Sequence, residues 1–521
     1  MKINKLAALG LLMVQSVASH GQEAHSKRPN ILFAIADDQS FPHAGAYGCK
    51  WVKTPAFDRV AKNGVLFTNA FTPVAKCTPS RSCILTGRNP WQLEAAANHN
   101  CFFPENYKTY AETLIENGYF VGYTGKGWAP GVSGMKDGKI RELAGPAFNK
   151  LSTTPPTKGI SKIDYAANFE SFLDSNSSEK PFCFWFGSHE PHREYEFQSG
   201  VNIGSKKLSE IDKVPGFWPD NDSIRNDILD YAFEIEYFDQ QLAKVLKLLE
   251  DKGLLDNTVV IVTSDNGMPF SRMKGMANMI TNHLPLAIMW PDGKINTQRV
   301  CEDFVSFTDF APTFLDLAGV SVKHSGMQPM EGKSIVPLLK GQGKGRDFMI
   351  IGKERTDVGR PDDQGYPVRG IVDHEFVYLR NFHPERWPAG NPETGYTDTD
   401  PSPTKSFIIN DRRAKGKSWF WDQSFGKRPS EEMYNISKDP DCLSNLANDP
   451  QLQSIKEKMS NQLMKKLKSE KDPRVNGNGD VFDSYPYAPE DARNLYNRMM
   501  KGEKVKANQK NRSNIDKEKL D

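Results

Sequence analysis

The sequence predicts an α/β protein built on a doubly wound, mostly parallel sheet, and three segments carry that expectation. Residues 30–36 (NILFAIA), 181–187 (PFCFWFG) and 258–263 (TVVIVT) are short, continuous apolar runs, the pattern of strands buried on both faces. Each stops at polar, metal-competent residues: Asp37-Asp38, His189-Glu190-Pro191-His192 and Ser264-Asp265-Asn266-Gly267. Open α/β sheets bind ligands outside the carboxyl ends of their strands, so a site is expected where these ends meet.

The chain opens with Lys2 and Lys5, an apolar run over 6–14 and small residues around Val17-Ala18-Ser19. That is the tripartite pattern of a secretory signal, assigned to 1–22, and it implies export to a periplasm or secretion. No later stretch reaches the ~18 apolar residues of a membrane span. With 521 residues, 38% of them apolar, the chain can bury one large domain and a smaller one. The 67 basic and 65 acidic residues leave a net charge of +2, so no global field favours nucleic acid or an anionic membrane. The seven cysteines (49, 77, 83, 101, 183, 301 and 442) lack C-x-x-C spacing, which argues against zinc or dithiol redox chemistry and permits disulfides without requiring them.

Between the apolar runs, Leu229, Phe233, Tyr237, Leu242 and Val245 recur at helical spacing within 227–249, and 308–317 reads as a helix covering the sheet. After Gly370 the pattern changes to alternation over 371–381, followed by a loop over 384–403 rich in Pro, Gly, Asp and Thr. The expected organisation is therefore a catalytic α/β domain over 28–370, a smaller antiparallel α+β subdomain over 371–475 closed by a helix near 451–468, and a mostly irregular tail over 476–521.

The polar strand ends supply hard oxygen donors. Asp37 and Asp38, with Asp265 and Asn266, suit a hard divalent cation better than zinc, which prefers His and Cys. Taken singly, Asp-Asp after a strand is a helix cap and Ser-Asp-Asn-Gly a turn. They gain meaning from the segment Cys77-Thr78-Pro79-Ser80-Arg81, which continues to Thr86-Gly87. Composition alone would supply C-x-P-x-R in about 6 of 100 such chains, so the added Ser80, Thr86 and Gly87 carry the weight.

This segment resembles the signature of the type I, formylglycine-dependent sulfatases. The resemblance extends over most of the chain, in the family's order: Ala36-Asp37-Asp38-Gln39, Gly125-Lys126-Gly127, His189-Glu190-Pro191-His192 and Ser264-Asp265-Asn266-Gly267. Residues 264–270, 189–193, 366–369, Glu432-Met433-Tyr434 and Asn445-Leu446 are most similar to the branch that contains N-sulfoglucosamine sulfohydrolase and bacterial polysaccharide sulfatases. The resemblance implies an alkaline-phosphatase-like fold, with a mostly parallel sheet sandwiched by helices, and one calcium ion on Asp37, Asp38, Asp265, Asn266 and residue 77. It also implies that Cys77 is converted to formylglycine (3-oxoalanine) by a formylglycine-generating enzyme that reads Pro79 and Arg81.

An unmodified thiol attacking a sulfate ester would leave a thiosulfate with no easy exit, whereas a hydrated aldehyde can attack sulfur and then expel sulfate. By the resemblance Arg81 holds the diol oxygens, Lys126 and Lys274 bind the sulfate, and Arg272 competes with Lys274 for that place. Charge builds on the sulfate oxygens, which is why fixed cations are needed. His189 is the candidate acid for the leaving group. Many relatives carry a histidine two residues after the block lysine, thought to take the proton that triggers release; here that position is Trp128, leaving His99 or His192 as alternative bases. Candidate substrate contacts are His99, His192, Arg193, His283 and Arg369, each of which is equally well an ordinary polar residue.

The expected activity is hydrolysis of sulfate groups on a sulfated polysaccharide or its oligosaccharides, such as ulvan or another algal glycan. A heparan-type N-sulfoglucosamine substrate is the alternative, and the motifs do not separate O-sulfate from N-sulfate. Competing readings are a phosphoryl or phosphonate hydrolase of the same superfold and a catalytically silent protein that binds sulfated glycan.

Overall fold

The computed structural model describes residues 28–390 and 398–503. The expected signal peptide and the last part of the tail lie outside the described residues. The principal sheet contains β1 (Asn30–Ala36), β2 (Val65–Phe71), β3 (Phe120–Gly125), β4 (Phe182–Gly187), β5 (Thr258–Ser264), β6 (His283–Met289), β7 (Arg299–Cys301) and β8 (Val305–Ser306). Its order is β7-β2-β6-β5-β1-β4-β3, with β8 also on β2. Only β6 runs antiparallel to its neighbours.

The three apolar runs become the three central strands, and every residue of β1 is buried. Its side chains alternate between two cores, as strand geometry requires. Ile31, Phe33 and Ile35 pack with Phe310 and Phe314 of the Phe310–Leu317 helix. Leu32, Ala34 and Ala36 pack with Leu242, Val245 and Leu249 of the Asp222–Asp251 helix on the other face. The register pairs Ala36 with Ser264, Ile35 with Gly187 and Gly125 with Gly187. Four parallel strands therefore end level at one edge, which lines up Asp37, Lys126, Ser188 and Asp265.

A second, antiparallel sheet follows in chain order: β9 (Met349–Lys353), β10 (Val368–Val372), β11 (Phe376–Asn381) and β12 (Glu431–Asn435). The Gln453–Ser469 helix covers it through Met459, Leu463 and Leu467, packed among Ile350, Ile371 and Tyr378. The sheet corrects the expected boundary, since β9 and β10 both begin before residue 371. The five-residue β9 follows a Gly- and Lys-rich stretch and is too short to announce itself by alternation.

Two further regions depart from the sequence reading. Behind the expected loop stand helices Pro403–Lys415 and Trp419–Phe425, whose Ile408, Ile409, Trp421 and Phe425 join a core with Ile228 and Ala232 of the long helix. The tail from 476 to 503 is packed rather than merely irregular: Phe482, Tyr487 and Leu495 are buried, and the Ala488 N–H donates to the Asn100 carbonyl at 2.7 Å. No helix among the described residues is long and apolar enough to cross a membrane.

Candidate active site

Cys77 is the first residue of the Cys77–Thr86 helix, all ten residues of which are buried. The signature residues have local reasons. Pro79 sits in the first turn, where its missing N–H costs no helical bond. Ser80 donates to the Asp265 carbonyl at 2.5 Å and shares a 2.8 Å hydrogen bond with Thr72, which ties the helix to the end of β5. Gly87 closes the helix at φ 71°, with its N–H on the Cys83 carbonyl at 2.9 Å, a left-handed cap that favours glycine.

Around Cys77 the strand ends form a buried cage. One ligand atom each from Asp37, Asp38, Cys77 and Asp265 lies within 4.8 Å of the others. Cys77 Sγ is 3.4 Å from Asp37 Oδ1 and 3.9 Å from Asp38 Oδ1. Asn266 donates through Nδ2 to Asp38 at 2.8 Å, and its Oδ1 is buried with no partner among the described residues. Burial pushes Asp38 and Asp265 up to about 6, against the pull of Lys274 and of Arg81 respectively, and the Asp37 charge adds to the rise. Crowded buried carboxylates and an unpartnered amide oxygen fit a hard cation, which would neutralise the first and ligate the second. Burial, reinforced by Asp37, drives the Cys77 thiol well above its usual value, so the unmodified group is a poor nucleophile.

Cationic side chains flank the cage. Lys126 Nζ is 2.6 Å from Asp37 Oδ2, and Lys274 Nζ is 2.7 Å from Asp38 Oδ2 and 3.3 Å from Asp400. Burial opposes the charge on Lys126, yet Asp37 overcomes it and its pKa ends above normal. Arg81 is fully buried, with Nε 2.8 Å from Asp265 and Nη1 donating to the Lys126 and Gly127 carbonyls at 2.7 Å each. Arg272 is no competitor for Lys274: it donates to Gln423 and to the Cys442 carbonyl, away from the cage.

Cys77, Lys126, Lys274, His189, His192 and His99 line one cavity of about 590 Å³. His189 is positioned by its neighbour Glu190, which accepts from Tyr165 at 2.9 Å and from the Ser161 N–H at 2.7 Å. His192 donates Nδ1–H to the Arg193 carbonyl at 2.7 Å and turns Nε2 towards Asp38, 3.9 Å away. Burial, aided by Lys274, lowers its pKa to about 4. Trp128 occupies its position structurally, donating Nε1–H to Ser82 at 2.8 Å and meeting Phe103 edge-on.

Of the expected substrate contacts, His283 and Arg369 lie away from the cavity, while Arg193 is on its wall. His283 is stacked between Phe41 and Phe71, with centroids 3.9 and 4.6 Å away and Nε2 2.7 Å from the Thr68 carbonyl. It is a strand residue of the sheet interior, away from the cavity. Arg369 is completely buried between Asp472 and Glu354, at 2.7 and 2.6 Å, and lies over Trp91. Arg193 does reach the cavity wall, but its guanidinium is held by Asp227 at 2.7 Å and sandwiched by the Tyr195 and Phe270 rings. Lys76, Asn100, Asp357, Asp400 and Tyr487 also line the cavity. Sequence reasoning missed all five, because no motif or periodicity marks them.

Cys77 at a helix start, set against carboxylates delivered by level strand ends, forms a cluster that could hold a metal ion, in a fold of the alkaline-phosphatase-like class. Comparison with known proteins narrows the class. The sulfatase family profile matches residues 29–320, and the chain belongs to the sulfatase family. An ulvan-active sulfatase of Formosa agariphila is 31% identical over 459 residues, covering 86% of this chain and 82% of that protein. Human N-sulphoglucosamine sulphohydrolase is 27% identical over 479 residues, covering 86% and 91%. A solved structure described as a complex with D-glucosamine-2-N,6-O-disulfate matches with a TM-score of 0.60 at 18% identity, covering 86% of this chain and 99% of that one. A phosphonate monoester hydrolase of Agrobacterium radiobacter matches with a TM-score of 0.59, also at 18% identity, covering 86% and 97%. Those two likenesses concern the fold alone. By family, the protein is a sulfuric ester hydrolase.

Proposed function

We propose that the protein is an exported sulfatase that removes sulfate from a glycan, using residue 77 after oxidation to formylglycine and one calcium ion. The observation that carries this reading is the convergence of Cys77 with Asp37, Asp38 and Asp265 within 4.8 Å, at the wall of a cavity that Lys126 and Lys274 also line. Asp37, Asp38, Asp265 and Asn266 would hold the cation. When present, formylglycine supplies a hydrated aldehyde as nucleophile and calcium supplies fixed positive charge beside it.

The chain's own groups do the rest. Lys126 and Lys274 bind the sulfate oxygens and stabilise the charge that grows on them as the S–O or S–N bond breaks. Arg81 holds Asp265 and the Lys126 carbonyl in place. His189 is placed to hand a proton to the departing oxygen or nitrogen. Its pKa is lowered by burial, and an anionic sulfate bound beside it raises it again, so the acid form is favoured when substrate is present. The glycan reading draws support from the relatives named for ulvan and for N-sulphoglucosamine. The export reading rests on residues 1–19, and a formylglycine-generating enzyme is the partner required for maturation.

Sulfate release from ulvan oligosaccharides and from N-sulfoglucosamine, measured by ion chromatography on co-matured protein, tests the function. Release from one of them is expected, with none from Cys77→Ala. Binding of both glycans without release would favour a silent glycan-binding protein.

A further inference from the structure

One rim of the cavity continues outward as an apolar strip. Asn100 and Pro130 line the cavity wall, and the chain leaves both as a two-stranded parallel ribbon, Cys101–Phe102 beside Gly131–Val132. Strand geometry sends successive pairs to opposite faces. The pair Cys101 and Gly131 faces inward: Cys101 is buried, and the Trp128 ring occupies the space that a side chain at Gly131 would fill. The next pair, Phe102 and Val132, faces solvent, 40% and 44% exposed, on the side that Asn100 and Pro130 present to the cavity. In the hairpin a few residues further on, Met135 and Ile140 stand opposite each other, 57% and 73% exposed.

Single exposed apolar residues are ordinary, but a run of four large ones marks an interaction surface. The run is also firmly held. Thr78, next to Cys77, donates to the Pro130 carbonyl at 2.5 Å, and the Phe103 N–H donates to the Val132 carbonyl at 2.8 Å. The base of the hairpin is closed by the Arg141 N–H on the Gly134 carbonyl at 3.0 Å. A surface fixed in this way loses little freedom when something lies on it. Across the hairpin, Lys136 keeps Glu112 at 3.2 Å, while the opposite Lys139 is exposed with no ion pair among the described residues.

We propose that Phe102, Val132, Met135 and Ile140 form a docking platform for the glycan chain beyond the sugar that carries the scissile sulfate, with the C–H faces of its pyranose rings packed on the strip. This rests on the glycan reading above. Continuity with the cavity favours that occupant. A cavity of about 590 Å³ has the size of a small-ligand site, so a polysaccharide caught there by one sulfate has to leave across a rim, and the strip begins at one. A protein partner seated on the strip would instead cover that entrance. Lys139 adds a positive charge that suits an anionic chain.

The test is the Michaelis constant for sulfate release by co-matured, calcium-loaded protein on disaccharides and hexasaccharides, prepared from ulvan and from heparin. The repeats of the longer chain alone lower KM by roughly threefold. For the series that is desulfated, the wild type is expected to show a disaccharide-to-hexasaccharide KM ratio about tenfold beyond that. Phe102→Ala and Ile140→Ser are each expected to bring the ratio down towards the value set by repeat number. Because the ratio is taken within one protein preparation, a partly unfolded variant does not mimic the effect. A wild-type ratio explained by repeat number, or a ratio that both variants leave untouched, would overturn the platform. An untouched ratio together with loss of self-association in Ile140→Ser, by sedimentation, would give the strip to a second copy of the chain. Desulfation of neither series would sink the glycan reading, and the platform with it.

Discussion

The two ends of the active cavity are made differently. The end at Cys77 is a product of the sheet: Asp37 and Asp38 follow β1, Lys126 follows β3, His189 follows β4, and Asp265 and Asn266 follow β5. Each sits within a few residues of a strand terminus, and parallel register makes the termini coincide. The far end is assembled from His99 and Asn100 in an irregular connection, Asp357 after β9 and Tyr487 in the C-terminal tail. The comparison teaches that the Cys77 cluster is held by the strand ends of the sheet, while the rest of the cavity wall is built by connections that can vary without disturbing it.

The largest effect that could break this division is at the Cys77 end. Asp265→Asn removes a cage charge and weakens the 2.8 Å pair with Arg81. The expected outcome is loss of bound calcium, by elemental analysis, and a fall in kcat/KM on the order of a thousandfold. Full activity with a full calcium complement in this variant would mean that the cage is not the cation site.

A smaller effect sharpens the boundary between site and scaffold. Arg369→Met leaves Asp472 without its buried arginine partner. Breaking a buried pair in this way costs about 3–5 kcal/mol, read as a lowered denaturation midpoint. The Michaelis constant of the folded fraction should change little, because Arg369 touches scaffold carboxylates and not the cavity. A rise in that constant at undiminished stability would return Arg369 to the substrate.

The same division explains what the sequence disclosed. The apolar runs and the residues that end them are contiguous, so the fold class and the cluster of carboxylates beside the Cys77 segment were legible from local pattern. Lys274 was preferred to Arg272 by its distance from Asp265-Asn266, and in the structure it is Lys274 that lines the cavity while Arg272 is bound to Gln423 and Cys442. His283 and Arg369 misled because a polar residue in an unassigned stretch looks the same whether it stacks inside a sheet or faces substrate. Tyr487 and Asp357 were invisible for a different reason: their meeting depends on a tail that folds back over more than a hundred residues, and no spacing encodes it. The tail looked irregular, being rich in polar residues, but a few aromatic anchors such as Phe482 and Tyr487 suffice to pack it.

The central claim is that residue 77 acts as formylglycine. It is tested most directly by mass spectrometry of the tryptic peptide that carries position 77, from protein produced alongside a formylglycine-generating enzyme and shown to release sulfate. The account predicts a loss of about 18 Da relative to cysteine, the change from CH2–SH to CHO. An intact cysteine in protein that is folded, calcium-bound and turning over substrate would contradict it.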